Sequence, residues 1–136
     1  MQYDRTVVGY HGCDSAVASR LLSGEPFRES ENDYDWLGRG IYFWEFGCDR
    51  ATRFAERQQK AGKVKSPSVV GALIQLGRCF DLMDTRFTVE LRVAFEVFQK
   101  SMKDLHHDLP RNAGSTPDLK ARKLDCAVLN FWLQAL

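Results

Sequence analysis

An apolar run at residues 69–76, VVGALIQL, constrains the fold of this chain more than any other stretch. Its aliphatic and β-branched residues favour a strand, and its nearly unbroken hydrophobicity is typical of a central strand buried on both faces of a sheet. Ser66 and Pro67 interrupt the chain just before it. A chain of 136 residues, 44% of them hydrophobic, can form one compact domain around such a strand. We therefore predict a single domain spanning 1–136.

Two earlier stretches also predict strands. Residues 6–12 are β-branched and aromatic and are closed by a glycine, which predicts a strand that carries His11 to its carboxyl end. Residues 40–44 are rich in aromatic side chains and follow a glycine-containing turn, which predicts a second strand. Alternate aromatic side chains of this strand face opposite ways, and either set can be core.

Two helices are predicted in the first half of the chain. The first covers 15–23, with Asp14 or Ser15 as its cap and a glycine at its end. Asp49 is predicted to cap the second, which stops before Gly62. Its inward-facing residues are Ala51, Phe54 and Ala55.

Two more helices are predicted in the second half. Apolar residues recur at steps of three and four across 91–105, and we expect this helix to dock on a sheet. The same spacing returns at 124–135, and the chain stops there without a polar tail. Polar and turn-forming residues predict loops at 25–37 and 106–118.

Charge and cysteine usage exclude several classes of protein. Nineteen Lys and Arg against eighteen Asp and Glu give a net charge of +1, so no global field attracts nucleic acid or an anionic membrane, although a local basic patch is compatible with this balance. No apolar run reaches the roughly 20 residues of a membrane helix, and no signal peptide is present, so we expect a soluble, cytoplasmic protein. The scattered cysteines predict reduced thiols and no zinc site; they are Cys13, Cys48, Cys79 and Cys126.

Several single residues could carry chemistry, and each also has a structural explanation. His11 could bind a ligand beside a glycine, or it could be a satisfied structural histidine. Glu45 could be a catalytic carboxylate, although a solvated charge at a strand end is the commoner explanation. Cys13 and His11 lack an orienting third group, which favours a quiet thiol. Residues 106–108, His-His-Asp, favour a surface turn over a metal site.

Three motifs taken in order are more informative than any single residue. The first strand ends in Tyr10-His11-Gly12, Asp35-Trp36 leads through Gly38 and Gly40 into Ile41-Tyr42-Phe43, and the next helix carries Ala51 and Phe54. This arrangement resembles the ADP-ribosyltransferase superfamily, specifically the His-Tyr-Glu branch that holds diphtheria-toxin-like enzymes and poly-ADP-ribose polymerases. The resemblance covers roughly residues 1–55, and beyond them the strand at 69–76 and the LGRCFDL at its end are loosely similar.

The resemblance implies an α+β fold with a split, mostly antiparallel sheet and flanking helices, and it implies NAD as the substrate. His11 would hydrogen-bond the ribose beside nicotinamide, and the Gly12 backbone would pair with the carboxamide. Tyr42 would stack on the nicotinamide ring, with Phe54 on the opposite face. Two aromatic faces hold a cationic planar ring by stacking and cation–π attraction. The implied catalytic residues are thus His11 and Tyr42, without a metal, and compression of the ring would favour cleavage of its glycosidic bond.

The chain departs from the family pattern in two places. Ala51 stands where polymerase-like members place a serine, so one hydrogen bond to the carboxamide would be missing. The family's glutamate lies on a late strand, whereas Glu45, Glu90 and Glu96 come too early in the order. We therefore expect either a truncated part of a larger transferase, which the abrupt apolar ending favours, or a degenerate domain. A shortened sheet would expose an edge, which predicts pairing with a second copy or with a partner protein.

The sequence thus predicts an NAD-dependent ADP-ribosyltransferase with an unidentified acceptor. Small bacterial or phage proteins of this arrangement are often toxins or effectors, which is an analogy at the level of the fold. One alternative is a noncatalytic module that binds NAD, ADP-ribose or a protein. Another is a structural domain in which His11 and Tyr42 are core residues.

Overall fold

The structure, a computed structural model, describes residues 2–136. Its elements are β1 (Gln2–Asp14), α1 (Ser15–Leu22), β2 (Trp44–Glu45), α2 (Cys48–Lys60), β3 (Pro67–Arg78), α3 (Thr85–Asp104) and α4 (Lys123–Gln134). The three strands form an antiparallel sheet, so the predicted α+β class is confirmed. The described residues divide into two compact units. Unit 1 contains 2–28 and 41–79, and unit 2 contains 29–40 and 80–136.

The sheet of unit 1 has the strand order β2-β1-β3, which makes β1 its central strand. β1 pairs with β3 along nearly its whole length, from Gln2↔Arg78 to Asp14↔Pro67. The prediction that residues 69–76 form a central strand buried on both faces is wrong, because within 2–136 β3 lies at the sheet edge. Leu73 is 79% exposed. The sequence of this run is apolar throughout, but burial alternates along the strand and Leu73 faces solvent.

The second predicted strand is shorter than its aromatic content indicates. β2 covers only Trp44 and Glu45, whereas the prediction spans 40–44. Gly40 instead exchanges backbone hydrogen bonds with Ser30, at N–O distances of 2.7 and 3.3 Å. These bonds pair Gly40 with Ser30, and the ladder with β1 is confined to Trp44 and Glu45.

The helices α1 and α2 cover opposite faces of the sheet. Cys13 lies in the apolar cluster under α1, whereas its neighbour Gly12 faces α2. Adjacent residues of a strand point to opposite faces, which accounts for this division. α1 begins directly after Asp14, whose carboxylate accepts a hydrogen bond from the Ala16 amide at 3.0 Å, so the predicted cap is confirmed.

α2 begins earlier than predicted, at Cys48, so Asp49 is not its cap. Gly47 occupies the cap position, and a Cβ there would lie 2.9 Å from the Trp44 Cβ. The chain therefore turns tightly before Cys48, and Asp49 falls in the first turn, where its charge favours the helix dipole. The inward-facing residues predicted for this helix are buried or half-buried: Ala51, Phe54 and Ala55.

In unit 2, α3 and α4 pack along their apolar stripes, and the rings of Phe98 and Phe131 lie 5.5 Å apart. The prediction that the helix at 91–105 docks on a sheet is wrong, because α4 supplies the apolar surface that covers its stripe. α3 starts at Thr85, earlier than predicted, since Asp84 caps it by accepting from the Arg86 amide at 2.9 Å. The Arg86 guanidinium and amide together lower the pKa of Asp84 to about 2.

The loop that precedes Tyr42 belongs mostly to unit 2. Gly38 has a φ of +78°, and a Cβ on it would lie 2.5 Å from the Asn130 side-chain oxygen. That oxygen accepts the Arg39 amide at 2.6 Å. The stretch Asp35-Trp36-Leu37-Gly38-Arg39-Gly40-Ile41-Tyr42-Phe43-Trp44-Glu45 is therefore divided, with 35–40 in unit 2 and 41–45 in unit 1.

Membrane and cysteine features complete the description. Among residues 2–136, no helix is both long enough and apolar enough to cross a bilayer. All four cysteines lie in this part of the chain and are free. Cys13 and Cys126 are buried.

Candidate functional site

His11 lies near the carboxyl end of β1, as predicted, and is half-buried. Its ring packs edge-on against Phe27, with centroids 5.3 Å apart, and at a tilt against Phe43, at 5.6 Å. Its Nδ1 lies 2.8 Å from the Tyr42 carbonyl oxygen. A carbonyl oxygen can only accept, so Nδ1 carries the hydrogen and Nε2 of the neutral ring keeps its lone pair. The ring is therefore held in one orientation, and in its neutral form Nδ1 carries the hydrogen.

Gly12 is buried where β1 meets α2. A Cβ at this position would lie 2.4 Å from the Ala51 carbonyl oxygen and 3.3 Å from Cδ1 of Phe54. Because a real Cβ cannot approach a backbone oxygen so closely, only glycine permits this strand and helix to touch here. Gly12 thus has a packing role, whatever its backbone binds.

The ladder between β1 and β2 ends at the pair Tyr10↔Trp44. Just beyond its end, the Tyr42 carbonyl accepts from the His11 ring. We call this place the His11 notch and define it by His11, Gly12 and Tyr42. The His11 ring lies on one face of β1 with Phe27 and Phe43, while Gly12 faces Phe54 and α2 on the other.

All four residues that the resemblance assigns to NAD, His11, Gly12, Tyr42 and Phe54, lie in unit 1. Phe54 approaches the notch through Gly12, and its ring packs against Trp44 at a centroid distance of 5.1 Å. The enclosure of one planar ring between Tyr42 and Phe54 stays a prediction. So does the pairing of the Gly12 backbone with a carboxamide.

Other residues singled out in the sequence lie in less specialised surroundings. Burial, and secondarily the charge of Asp14, raise the pKa of the Cys13 thiol, which agrees with a quiet thiol. Glu45 is an exposed charge at a strand end, as predicted, and its carboxylate lies 3.1 Å from the Arg5 guanidinium. Residues 106–108 are exposed and follow α3. No group of three or more His, Cys, Asp or Glu side chains arranged for a metal occurs within 2–136.

Sequence reasoning did not assign three aromatic residues to the surroundings of the notch: Phe27, Phe43 and Trp44. Extending the ladder beyond Tyr10↔Trp44 would set Phe43 opposite His11, but the register is known only from the structure. The sequence does contain an indication that Phe27 is partly buried, because it is the only large apolar residue in the polar stretch 23–33. Such an isolated aromatic residue in a polar loop often packs against the core.

Comparisons with known proteins give little further guidance. No family model matches the chain, and neither does any solved structure. An uncharacterized protein of Methanocaldococcus jannaschii is 28% identical over 104 residues, which cover 74% of this chain. The chain spans 46% of that protein's length.

Proposed function

We propose that this chain is the NAD-binding part of an ADP-ribosyltransferase with an ADP-ribosyltransferase-like fold. One observation carries the proposal. His11, Gly12 and Tyr42, which are up to 31 positions apart, converge at the end of the β1–β2 ladder, where His11 Nδ1 lies 2.8 Å from the Tyr42 carbonyl. Phe54 adjoins the same place through Gly12. These are the positions that the sequence resemblance assigns to the nicotinamide end of NAD.

The chemistry of these residues suits that substrate. With Nδ1 engaged by the Tyr42 carbonyl, His11 Nε2 can accept a hydrogen bond from a ribose hydroxyl. Aromatic side chains near the notch can stack on the cationic nicotinamide ring. In the proposed reaction the bond between ribose C1′ and nicotinamide breaks, an acceptor nucleophile bonds to C1′, and the acceptor loses a proton. Holding the ring and ribose in place lowers the entropy cost of that step.

The proposal assigns no residue of this chain to the carboxylate that would stabilise the developing charge on the ribose. The chain spans 46% of its archaeal relative, so transferase activity is proposed for the whole protein. NAD binding is therefore the first property to measure, and turnover is the second.

Calorimetric titration with NAD tests the proposal. We expect saturable binding that Tyr42→Ala weakens at least tenfold through the lost stacking contact, and that His11→Ala weakens by up to about tenfold through the lost hydrogen bond to ribose. Tyr42→Phe keeps the ring and should bind nearly as the unmodified chain does. His106→Ala is the matched control, since His106 is exposed and lies in unit 2. Absence of saturable binding, or binding that neither alanine variant weakens, would favour a structural role for His11 and Tyr42.

A noncatalytic NAD or ADP-ribose binding module is the second candidate. Ala51 favours it, because this residue is 0% exposed and offers no hydroxyl where polymerase-like members place a serine. Release of nicotinamide from NAD separates the two candidates. Saturable binding without nicotinamide release or labelled ADP-ribose on an acceptor would support the module.

The cellular setting forms part of the same proposal. A cytoplasmic toxin or effector role rests on analogy at the level of the fold. The exposed edge of β3 also suits pairing with a second copy of the chain, since within 2–136 this strand pairs only with β1.

A further inference from the structure

One face of α2 carries a stripe of four cations: Arg50, Arg53, Arg57 and Lys60. Their spacing of three, four and three residues places them along a single side of the helix. They border an open groove of about 530 Å³, to which Trp44 and Glu56 also contribute. We call this groove the α2 groove. It lies entirely within unit 1.

The charges of the α2 groove are only partly compensated, since a single carboxylate of the described residues, that of Glu56, contributes to its lining. Arg53 has Asp49 at 3.8 Å, and both side chains are largely exposed, so that pair is weak. Among residues 2–136, no carboxylate lies within 4.0 Å of the charged ends of Arg50, Arg57 or Lys60. Like charges at these helical spacings destabilise an isolated helix. The chain as a whole is nearly neutral, so this stripe is a local concentration of positive charge.

Trp44 adds a flat aromatic surface to the groove. Its ring leans on Phe54 at an interplanar angle of 46° and is half-buried, so it is supported from one side. A supported aromatic ring beside several cations is the combination by which proteins bind single-stranded nucleic acid, since bases stack while phosphates meet the cations. A phosphopeptide or a lipid headgroup would use the cations and leave the ring without a stacking partner.

The length of the stripe also fits a strand of nucleotides. Ten residues separate Arg50 from Lys60, which is about 15 Å along the helix axis. A stacked strand carries one phosphate per about 3.4 Å of its helix axis, so roughly four phosphates fall within that length. Four cations are available for them. A mononucleotide would engage only part of the stripe.

We infer that the α2 groove binds single-stranded nucleic acid, with Trp44 stacking on a base and the α2 cations neutralising the backbone. This inference does not depend on NAD. If both hold, the groove presents the acceptor of ADP-ribose, because Trp44 lies two residues after Tyr42.

Fluorescence anisotropy with a labelled 12-nucleotide oligo-dT and an oligo-U of equal length tests the inference. For about four neutralised phosphates, the logarithm of affinity should fall with the logarithm of salt concentration at a slope of roughly −3. The variant Arg50→Gln/Arg57→Gln/Lys60→Gln should bind at least tenfold more weakly, with a slope near −1. These side chains are exposed, and glutamine is a good helix former, so the fold should be kept.

Two further variants keep the experiment decisive. Lys100→Gln/Lys103→Gln/Arg111→Gln removes the same charge from exposed positions in unit 2 and should bind within about twofold of the unmodified chain. Trp44→Leu keeps apolar packing on Phe54 and should lose roughly tenfold in affinity through the missing stack. Three results would each overturn the inference: equal losses in the two triple variants, no loss in Trp44→Leu, or tighter binding to a duplex, to polyglutamate or to anionic vesicles than to the single strands.

Discussion

Gly12→Ala probes the contact between β1 and α2 on which the His11 notch is built. The new Cβ would lie 2.4 Å from the Ala51 carbonyl oxygen, about 1 Å closer than the 3.4 Å of an ordinary contact. Because the Ala51 carbonyl oxygen belongs to the backbone, β1 or α2 must move by about 1 Å to accommodate the new Cβ. Ala51 and Ala55 are 0% exposed and pack where the movement would occur.

The expected cost follows from this geometry. Overpacking of a core costs about 1–3 kcal/mol, and a rigid backbone obstacle belongs at the upper end. The greater entropy lost by glycine on folding returns about 0.5–1 kcal/mol when alanine replaces it. We expect a net loss of about 2 kcal/mol in the free energy of unfolding. In a chain of this length the melting temperature should then fall by roughly 6–8 °C.

Differential scanning calorimetry of Gly12→Ala and Gly71→Ala makes this a matched comparison. Gly71 lies on the neighbouring strand β3, is exposed, and would place its Cβ 3.5 Å from the Tyr10 ring, an ordinary contact. Gly71→Ala should therefore leave the melting temperature unchanged or raise it slightly. The packing argument fails if the two variants melt within about 2 °C of each other.

Three other predictions concern local structure. Phe46 has a φ of +53° and a side chain that is 79% exposed. Phe46→Gly should therefore leave the free energy of unfolding unchanged or raise it by up to about 1 kcal/mol. A decrease in that free energy, measured by urea unfolding, would show that the ring packs against the protein. Hydrogen bonds from the amides of Ala16, Lys65 and Ser66 hold the pKa of Asp14 below its usual 3.8. The ionised Asp14 carboxylate therefore makes its full contribution to the free energy of unfolding above that pH, and the contribution is lost as pH falls through the lowered pKa. Melting curves of Asp14→Asn should accordingly depend less on pH below 4 than those of the unmodified chain, and parallel curves would count against this. In sedimentation velocity the chain should self-associate at high concentration and Leu73→Lys should weaken that association, whereas a monodisperse monomer would contradict pairing at the β3 edge.

Local signals in the sequence were sufficient for most elements of the fold. Asp14 caps the start of α1 through its side chain, as predicted. Gly24 follows the end of the helix with a φ of +99°, a backbone conformation that favours glycine. The apolar stripes of α3 and α4 follow the helical period. These features depend on neighbours in sequence, which a single chain displays directly.

Features that depend on distant residues were missed. The exposure of Leu73 depends on which strand forms the sheet edge, and its own hydrophobicity carries no sign of that position. The turn at Gly38 is explained by Asn130, which is 92 positions away. Such contacts become visible only when the chain is folded.

The candidate site shows the same division. The Tyr-His-Gly and Gly-Ile-Tyr motifs identified His11, Gly12 and Tyr42, which the structure brings together. The aromatic neighbours of His11 were not identified, because the register of β1 against residues 41–43 is a tertiary property. The charge stripe of α2 is visible in the sequence at helical spacing, but Trp44 joins it only through the turn at Gly47.

Saturation-transfer NMR with NAD tests the central claim most directly, because it reports which end of the ligand touches the protein. If the His11 notch holds the nicotinamide ring, the nicotinamide protons should receive the strongest transfer. Tyr42→Ala should abolish that transfer, while His106→Ala should preserve it. Transfer that is strongest on the adenine protons and unchanged in Tyr42→Ala would contradict the account.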